Sequence, residues 1–235
     1  MELKHILLGV GFALIWASAF PSAKMAVQYC PPFLLLFLRF FSAGLFSILL
    51  GAYLGQSLKF GRKSLLWITT FGLVQNGLYL GLIFLALTKI DANVSVIIAS
   101  ILPLTVAFFS WIFFKAKISF LGLFGLVVGL AGVLLIMLQR VEKEIELLGI
   151  TLCLLGLLAT TFSTLIITKI KINKNNILIV VGLQMLAGSL FLLPLSYFFE
   201  IWSVSFNVTF LFTFIYIAAF PGIIGPVIWF YLQKE

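Results

Sequence analysis

Two basic side chains stand inside long apolar stretches of this 235-residue sequence. Lys24 lies near the end of the apolar run 5–27, and Arg39 lies well inside the run 33–54. A charge placed in a bilayer costs about 2.5 kcal/mol or more, so each position needs a reason. A long side chain near a helix end can extend to the membrane surface, which explains Lys24 as readily as a function does. The greater depth of Arg39 favours an inward-facing, functional position.

The chemistry of these two positions follows from what is missing beside them. All seven acidic residues fall at the ends of apolar runs, in loops or at the termini: Glu2, Asp91, Glu142, Glu144, Glu146, Glu200 and Glu235. An unpaired cation that faces a cavity suits an anionic or zwitterionic solute, and arginine can bind a carboxylate through two parallel hydrogen bonds. Proton-coupled carriers often use relays of buried Asp, Glu or His, and no such relay is visible in these runs. Facilitated efflux, exchange and coupling through further helices all remain open.

A few uncharged side chains also interrupt the apolar runs. Gln75 and Asn76 lie at the centre of the run 64–87, where they either bond to another helix or line a polar cavity. Ser18 and Ser22 share one helical face, with Trp16 half a turn away, and this face serves either a pathway or close packing. The candidate substrate-binding residues are therefore Arg39, Lys24, Trp16, Ser18, Gln75 and Asn76.

Composition sets the environment in which these residues act. Hydrophobic residues make up 63% of the chain and charged residues 9%, and the mean hydropathy is +1.25. Soluble domains are about half apolar and a quarter charged, so lipid is the expected solvent. Runs long enough to span a bilayer cover residues 5–27, 33–54, 64–87, 92–114, 119–138, 147–168, 177–199 and 208–232. The sequence predicts an all-α integral membrane protein, a polytopic helical bundle.

The net charge of +8 is explained by orientation rather than by nucleic-acid binding. With the N-terminus in the cytoplasm, ten Lys and Arg residues between the runs lie inside and three lie outside. The inside set is Lys4, Lys59, Arg62, Lys63, Lys115, Lys117, Lys169, Lys171, Lys174 and Lys234; the outside set is Lys89, Arg140 and Lys143. We expect a multi-pass protein of a cell (inner) membrane. A rival interpretation makes residues 1–19 a cleaved signal peptide that ends at Ala17-Ser18-Ala19.

A weak internal repeat suggests how the runs are arranged. Leu7-Leu8-Gly9 opens the first run and Leu147-Leu148-Gly149 opens the sixth, and hydroxyl-rich segments follow at 17–22 and 159–164. The spacing corresponds to one block of five helices. Because five is odd, the second copy inserts upside down, as in transporters that bind solute near the midplane. We predict a first repeat of five helices over residues 1–140 and a partial second repeat of three helices over residues 141–235.

Several short segments resemble one transporter family. The segment Ile15-Trp16-Ala17-Ser18-Ala19-Phe20 with Lys24, the segment Pro32 to Phe40 containing Leu38-Arg39-Phe40, and Ala99-Ser100-Ile101-Leu102-Pro103 are similar to EamA-type members of the drug/metabolite transporter superfamily. The resemblance implies basic residues at positions 24 and 39, transport of small solutes and an export direction. It also implies ten helices, so the chain resembles a member truncated at the C-terminus after eight. Lys115-Ala116-Lys117 stands where the family usually has a Gly-Glu pair.

Other features predict packing rather than chemistry. Gly122, Gly125, Gly129 and Gly132 form one helical stripe that suits a helix pair or a homodimer face. Pro103, Pro221 and Pro226 predict kinks. Cys30 and Cys153 are expected to be inert packing residues. His5 is the one histidine of the sequence, which excludes a histidine-based metal cluster, and we expect no cofactor.

The sequence thus favours a secondary transporter, not an enzyme, whose partners are a small-molecule solute and the lipid bilayer, working by alternating access. Its solutes would be small organic metabolites, anionic or zwitterionic and amino-acid-like, or drugs. A non-transporting, truncated membrane paralogue is the main alternative. A membrane-embedded lipid-modifying enzyme is a weaker one, because the acidic residues are scattered.

Overall fold

In the described part of the chain, seven helices are long and apolar enough to cross a membrane, and they form a bundle. The computed structural model describes residues 3–115, 147–167, 169–170 and 175–232, together with residues 122, 124, 125, 127, 128, 131, 132 and 135. The helices are α1 (Leu3–Ala26), α2 (Pro32–Tyr53), α3 (Arg62–Leu87), α4 (Ala92–Phe114), α5 (Leu147–Ile167), α6 (Ile177–Phe199) and α7 (Val208–Leu232). The all-helical, polytopic prediction is confirmed, and the predicted boundaries agree to within a few residues. The predicted run 119–138 falls largely outside the described residues.

Three helices form the centre of the bundle, and glycines let them approach closely. A Cβ atom at Gly182 of α6 would lie 2.5 Å from Cγ1 of Ile48 and 2.7 Å from the carbonyl oxygen of Gly44, both on α2. A Cβ at Gly72 of α3 would collide with the backbone of Gln184 on α6. Small residues at helix interfaces are the usual means of close packing in membranes. Helix α6 is therefore clamped between α2 and α3.

The glycine stripe singled out in the sequence lies elsewhere. A Cβ added at Gly125 or Gly132 would meet no atom of the described residues within 4 Å, and Gly129 is not among those residues. The proposed helix-pair or dimer face stays a prediction. Cys30 and Cys153 are both free and buried, as expected of packing residues.

The N-terminus of α2 is fixed by a carboxylate from the end of α6. The backbone N–H groups of Phe33 and Leu34 donate to the two carboxylate oxygens of Glu200 at 2.7 and 2.8 Å. An anion is favourable there because the first N–H groups of a helix have no partner within it. Burial raises the pKa of Glu200, and the two N–H bonds oppose that rise. This contact holds the start of α2, the helix that carries Arg39, against the end of α6.

Helices α3, α4 and α7 are irregular near their own midpoints. Helix α3 contains a π-helical segment at Leu73–Tyr79, where the Leu80 N–H donates to the carbonyl of Gln75 five residues earlier. Helix α7 contains another at Ala219–Ile224, around Pro221. Helix α4 is broken at residues 100–101, just before Pro103. The kinks expected at Pro103 and Pro221 therefore correspond to real irregularities, because a proline cannot donate to the helical ladder.

Helices α3 and α7 run in opposite directions through the bundle. Leu87, at the end of α3, contacts Lys24 near the end of α1. Tyr231, near the end of α7, accepts a hydrogen bond from Lys4 at the start of α1. The starts of α5, α6 and α7 at positions 147, 177 and 208 follow those of α1, α2 and α3 at 3, 32 and 62 by 144, 145 and 146 residues. Opposite directions of matched helices are what an inverted repeat would give, and the division into two repeats stays a prediction.

Candidate substrate cavity

All seven helices contribute to one cavity of about 400 Å³. Most of its wall is apolar, and nine of its lining residues are aromatic: Phe12, Trp16, Phe20, Phe40, Phe71, Tyr79, Phe84, Trp229 and Phe230. Pockets that bind small molecules typically have this size and a mainly apolar wall with a few placed polar groups. The polar groups therefore decide what the cavity can hold.

Arg39 supplies the positive charge of the cavity. Its side chain is 3% exposed and lines the cavity from α2. The guanidinium lies 5.0 Å from the ring centre of Phe40 and 5.9 Å from that of Phe84, within the range of cation–π attraction. Its Nε has no hydrogen-bond partner among the described residues, and no carboxylate there pairs with the group. The predicted inward position of Arg39 agrees with this geometry.

The π-helical segment of α3 points two consecutive amides at different neighbours. Oε1 of Gln75 accepts hydrogen bonds from Thr160, at 3.0 Å, and from Ser163, both on α5. Nδ2 of Asn76 donates to the backbone carbonyl of Gln184 on α6 at 3.1 Å. The wider turn of a π-helix permits both side chains to line the cavity. Gln75 and Asn76 therefore do both: each bonds to a neighbouring helix and each lines the cavity.

Gln184 is a cavity residue that the sequence reasoning missed. It is 2% exposed and lines the cavity from α6, and its Oε1 has no hydrogen-bond partner among the described residues. It was overlooked because an isolated glutamine in an apolar helix does not reveal which way it faces. Its central place between two glycines, Gly182 and Gly188, was the available signal, since glycines mark the face packed against other helices.

Lys24 is placed differently from Arg39. Its Nζ donates to the carbonyl oxygens of Leu87 and Ile90 at 2.7 and 2.9 Å. These carbonyls lie at the end of α3 and just beyond it, where a helix leaves acceptors unsatisfied and favours a cation. Lys24 is not among the described residues that line the cavity. The hydrogen bonds of Lys24 thus join α1 to the end of α3. The sequence did not indicate this structural role.

Of the two remaining candidates on α1, one reaches the cavity. Trp16 lines it and packs edge-to-face on Phe20, with ring centres 5.2 Å apart. Ser18 instead contacts the hydroxyl of Tyr216 on α7 at 2.6 Å and donates to the carbonyl of Ile15. The structure therefore brings Arg39, Gln75, Asn76 and Trp16 together, and places Ser18 and Lys24 outside the cavity wall. Among the described residues, no cluster of His, Cys, Asp and Glu could hold a metal ion.

Comparison with known proteins identifies the family of this arrangement. The model of the EamA-like transporter family matches residues 3–138, more than half of the chain. The chain belongs to the EamA-like transporter family. The resemblance noted from the segments around Trp16, Arg39 and Pro103 is thereby confirmed, and the EamA match favours a membrane transporter over an enzyme.

Relatives of this EamA chain occur in diverse bacteria. An "Uncharacterized transporter in trpA 3'region" of Buchnera aphidicola subsp. Schlechtendalia chinensis is 28% identical over 98% of the chain and 76% of its own length. "Uncharacterized transporter YvbV" of Bacillus subtilis is 24% identical over 93% and 72%. "Protein PagO" of Salmonella typhimurium is 24% identical over 95% and 74%. A solved chain described only as "Crystal structure of protein" has the same fold, with a TM-score of 0.69 and 20% identity over 97% of this chain and 78% of its own.

Proposed function

We propose that this protein is a secondary transporter that moves small anionic or zwitterionic organic solutes across a cell membrane. The observation that carries the proposal is the buried, unpaired Arg39 guanidinium at the wall of a cavity of about 400 Å³. A buried charge without a partner is costly unless water or a ligand reaches it. An anionic group of the solute is the natural partner, held through two parallel N–H bonds.

The main alternative, a membrane protein that packs but does not transport, fits the cavity less well. A purely structural bundle gains most when its interior is filled by side chains at high density. Here seven helices leave a cavity large enough for a metabolite, and an unpaired arginine faces it. Neither feature adds stability to the bundle, so both favour a solute as the reason for the cavity.

We further propose that access to the cavity alternates through the irregular segments that border it. Gln75, Asn76 and Tyr79 line it from the π-helical segment of α3, and Pro221 lines it from that of α7. The segments occupy equivalent positions in the two predicted repeats. A π-helical turn can revert to an α-helical one with a small rotation of the following residues, so a matched pair can move the two halves in opposite senses.

Transport by reconstituted protein tests the proposal. The full chain is reconstituted in liposomes, and uptake is measured for labelled hexanoate, leucine and ethidium, which represent an anion, a zwitterion and a cationic drug. We expect uptake of hexanoate or leucine above that of protein-free liposomes. Arg39→Met should reduce that uptake at least tenfold, because the carboxylate loses its charged partner, while Arg39→Lys should retain part of it.

Arg62→Met is the matched control, because Arg62 is exposed at the start of α3 and contributes nothing to the cavity wall. This variant should transport like the unmodified chain. Uptake of all three probes at the protein-free level would refute the transporter proposal. Equal uptake by Arg39→Met and the unmodified chain would remove Arg39 from the binding site.

A further inference from the structure

We infer that the solute is a small organic acid with one negative charge, an apolar body and one uncharged hydrogen-bonding group, and that Gln184 recognises that group. The inference rests on the proposed transport function and narrows its substrate class. It also adds Gln184 to the residues that determine specificity. The inference depends on which polar groups of the cavity are already paired and which are not.

The side chain of Gln184 is buried without a hydrogen-bond partner. It is 98% buried, since 2% of its surface is exposed, and among the described residues its Oε1 accepts no bond. Its backbone carbonyl, by contrast, accepts from Asn76. A buried amide left unpaired costs free energy comparable to a lost hydrogen bond, roughly 1–3 kcal/mol in proteins. A ligand group that bonds to the amide removes that cost.

Most other polar side chains of the cavity wall already have partners. Oε1 of Gln75 accepts from Thr160 and Ser163. Thr164 and Ser100 donate to backbone carbonyls of their own helices at 2.8 and 2.6 Å. Among the described residues that line the cavity, Arg39 and Gln184 each have a fully buried polar atom without a hydrogen-bond partner, Nε and Oε1 respectively, and they lie on the neighbouring helices α2 and α6. A guanidinium offers donors alone, whereas an amide offers both a donor and an acceptor.

The charge of the cavity wall favours a solute with a single negative charge. Arg39 is its one charged residue among the described residues that line it. A monoanion neutralises this charge inside a membrane, where an uncompensated charge is expensive. A zwitterion would leave a net positive charge in the cavity, and its ammonium would find no carboxylate in the described wall. The amide of Gln184 therefore suits a hydroxyl or another uncharged group better than an ammonium.

The rest of the wall requires an apolar body on the solute. Rings from four helices surround the space, among them Trp16 of α1, Phe84 of α3 and Trp229 of α7. Covering this surface with apolar carbon contributes about 25 cal/mol per Å² of area removed from water. A small hydrophilic anion such as phosphate would gain nothing from it.

Binding of three matched probes to the purified full chain tests the inference. The probes are hexanoate, 2-hydroxyhexanoate and norleucine, which share a six-carbon chain and differ at the carbon next to the carboxylate. Binding is followed by the fluorescence of the tryptophans, two of which, Trp16 and Trp229, line the cavity. We expect 2-hydroxyhexanoate to bind roughly threefold to tenfold more tightly than hexanoate, the gain of one hydrogen bond. Norleucine should bind more weakly than 2-hydroxyhexanoate.

Gln184→Met keeps the length of the side chain and removes its hydrogen-bonding groups. We call the ratio of the affinity for 2-hydroxyhexanoate to that for hexanoate the hydroxyl advantage. In Gln184→Met this ratio should fall to about one, while the affinity for hexanoate is retained. Gln184→Asn, which keeps an amide but withdraws it by one methylene, should also lose the advantage and covers the case in which the methionine variant does not fold. Gln28→Met, at an exposed glutamine between α1 and α2, is the matched control and should preserve the advantage.

Each other outcome overturns a stated part of the inference. If hexanoate and 2-hydroxyhexanoate bind equally, or if both Gln184 variants keep the hydroxyl advantage, Gln184 does not recognise the solute. If norleucine binds more tightly than 2-hydroxyhexanoate, the single negative charge is wrong. In either case the transporter proposal still holds if the unmodified chain binds hexanoate and the Arg39→Met variant does not. Absence of binding by every probe, together with absence of uptake in liposomes, would refute both.

Discussion

At the scale of single residues, the two cations of the apolar runs are stabilised in different ways. Lys24 donates to two carbonyl oxygens at the end of a helix. Arg39 lies against the faces of Phe40 and Phe84, which attract its charge but leave its N–H groups free to donate. The first arrangement satisfies the charge inside the protein. The second leaves hydrogen-bonding capacity for a ligand, and this difference separates a structural cation from a binding one.

The structural part of this distinction predicts the behaviour of a Lys24 variant. Lys24→Met removes two charge-assisted bonds between α1 and the end of α3, and such bonds are each worth about 1.5–3 kcal/mol. Because the site is partly exposed, we expect a loss near the lower end, measured as a reduced free energy of unfolding in detergent. Lys59→Met, at an exposed lysine between α2 and α3, is the control. Equal stability of the two variants would show that the Lys24 bonds contribute nothing.

The types of the residues indicated much of the cavity wall. The sequence did not show which way each side chain faces in the bundle. Arg39, Gln75 and Asn76 stood out because polar groups are rare in apolar runs, and all three line the cavity. Ser18 stood out for the same reason but bonds to Tyr216. Gln184 was missed although it has the same rarity. Which side of a membrane helix faces the interior depends on packing against its neighbours, and hydropathy alone does not contain that information.

At the scale of helices, glycine spacing determines the tightest contacts of the bundle. Gly44 and Gly51 of α2 pack against Leu178, Ile179 and Met185 of α6, so the two backbones approach closely. The buried face of α6 that carries Gln184 is created by this approach. The sequence drew attention to the regular stripe at 122–132 instead, because regular spacing is conspicuous whereas the glycines of α2 and α6 are further apart.

A methyl group at this interface should therefore be harmful. Gly182→Ala places a Cβ 2.5 Å from Ile48 and 2.7 Å from the backbone of Gly44, and backbone cannot move aside cheaply. We expect a loss of about 1–3 kcal/mol in the free energy of unfolding, typical of overpacking. Gly9→Ala in α1, where a Cβ meets nothing within 4 Å, should be neutral or slightly stabilising. Equal destabilisation by both substitutions would contradict the tight α2–α6 contact.

The π-helical segments could be anticipated only in part. Pro221 signals an interruption of α7, because its nitrogen cannot donate and its ring crowds the preceding turn. The segment Leu73–Tyr79 contains no proline, and its polar pair Gln75-Asn76 does not by itself predict a π-helical turn. Its irregularity is a property of the packed bundle, in which Gln75 bonds to α5 while Asn76 bonds to α6. The equivalent positions of the two π-helical segments become visible only when α3 and α7 are compared.

At the scale of the whole molecule, apolar run length was sufficient to predict the helices, because each must cross the bilayer with its backbone bonds satisfied internally. Contacts at the ends of the bundle then define two sides. Lys4 with Tyr231, Ser57 with Asn175 and Lys169 with Phe114 meet at one end. At the other end Lys24 meets Leu87, and the loops containing Tyr29 and Ser205 are bonded.

These two sides turn the orientation into a testable prediction. Most of the described basic loop residues lie at the end that contains Lys4: Lys4, Lys59, Arg62, Lys63, Lys115 and Lys169. Since basic loops remain in the cytoplasm, we expect that end, and the N-terminus with it, to be cytoplasmic. Gln28 and Ser57, both exposed, mark the opposite ends. Single cysteines at these two positions, in a chain with Cys30 and Cys153 replaced by alanine, show on which side of the membrane each position lies.

A membrane-impermeant maleimide should label Gln28→Cys in intact cells and should label Ser57→Cys only after permeabilisation. The order should reverse in inside-out vesicles, which controls for differences in reactivity between the two thiols. Labelling of Ser57→Cys in intact cells would mean that charge does not set the orientation of this chain. The cavity lined by Arg39 would be unchanged, because packing among the helices forms it, but the end of the bundle that contains Lys24 would then face the cytoplasm.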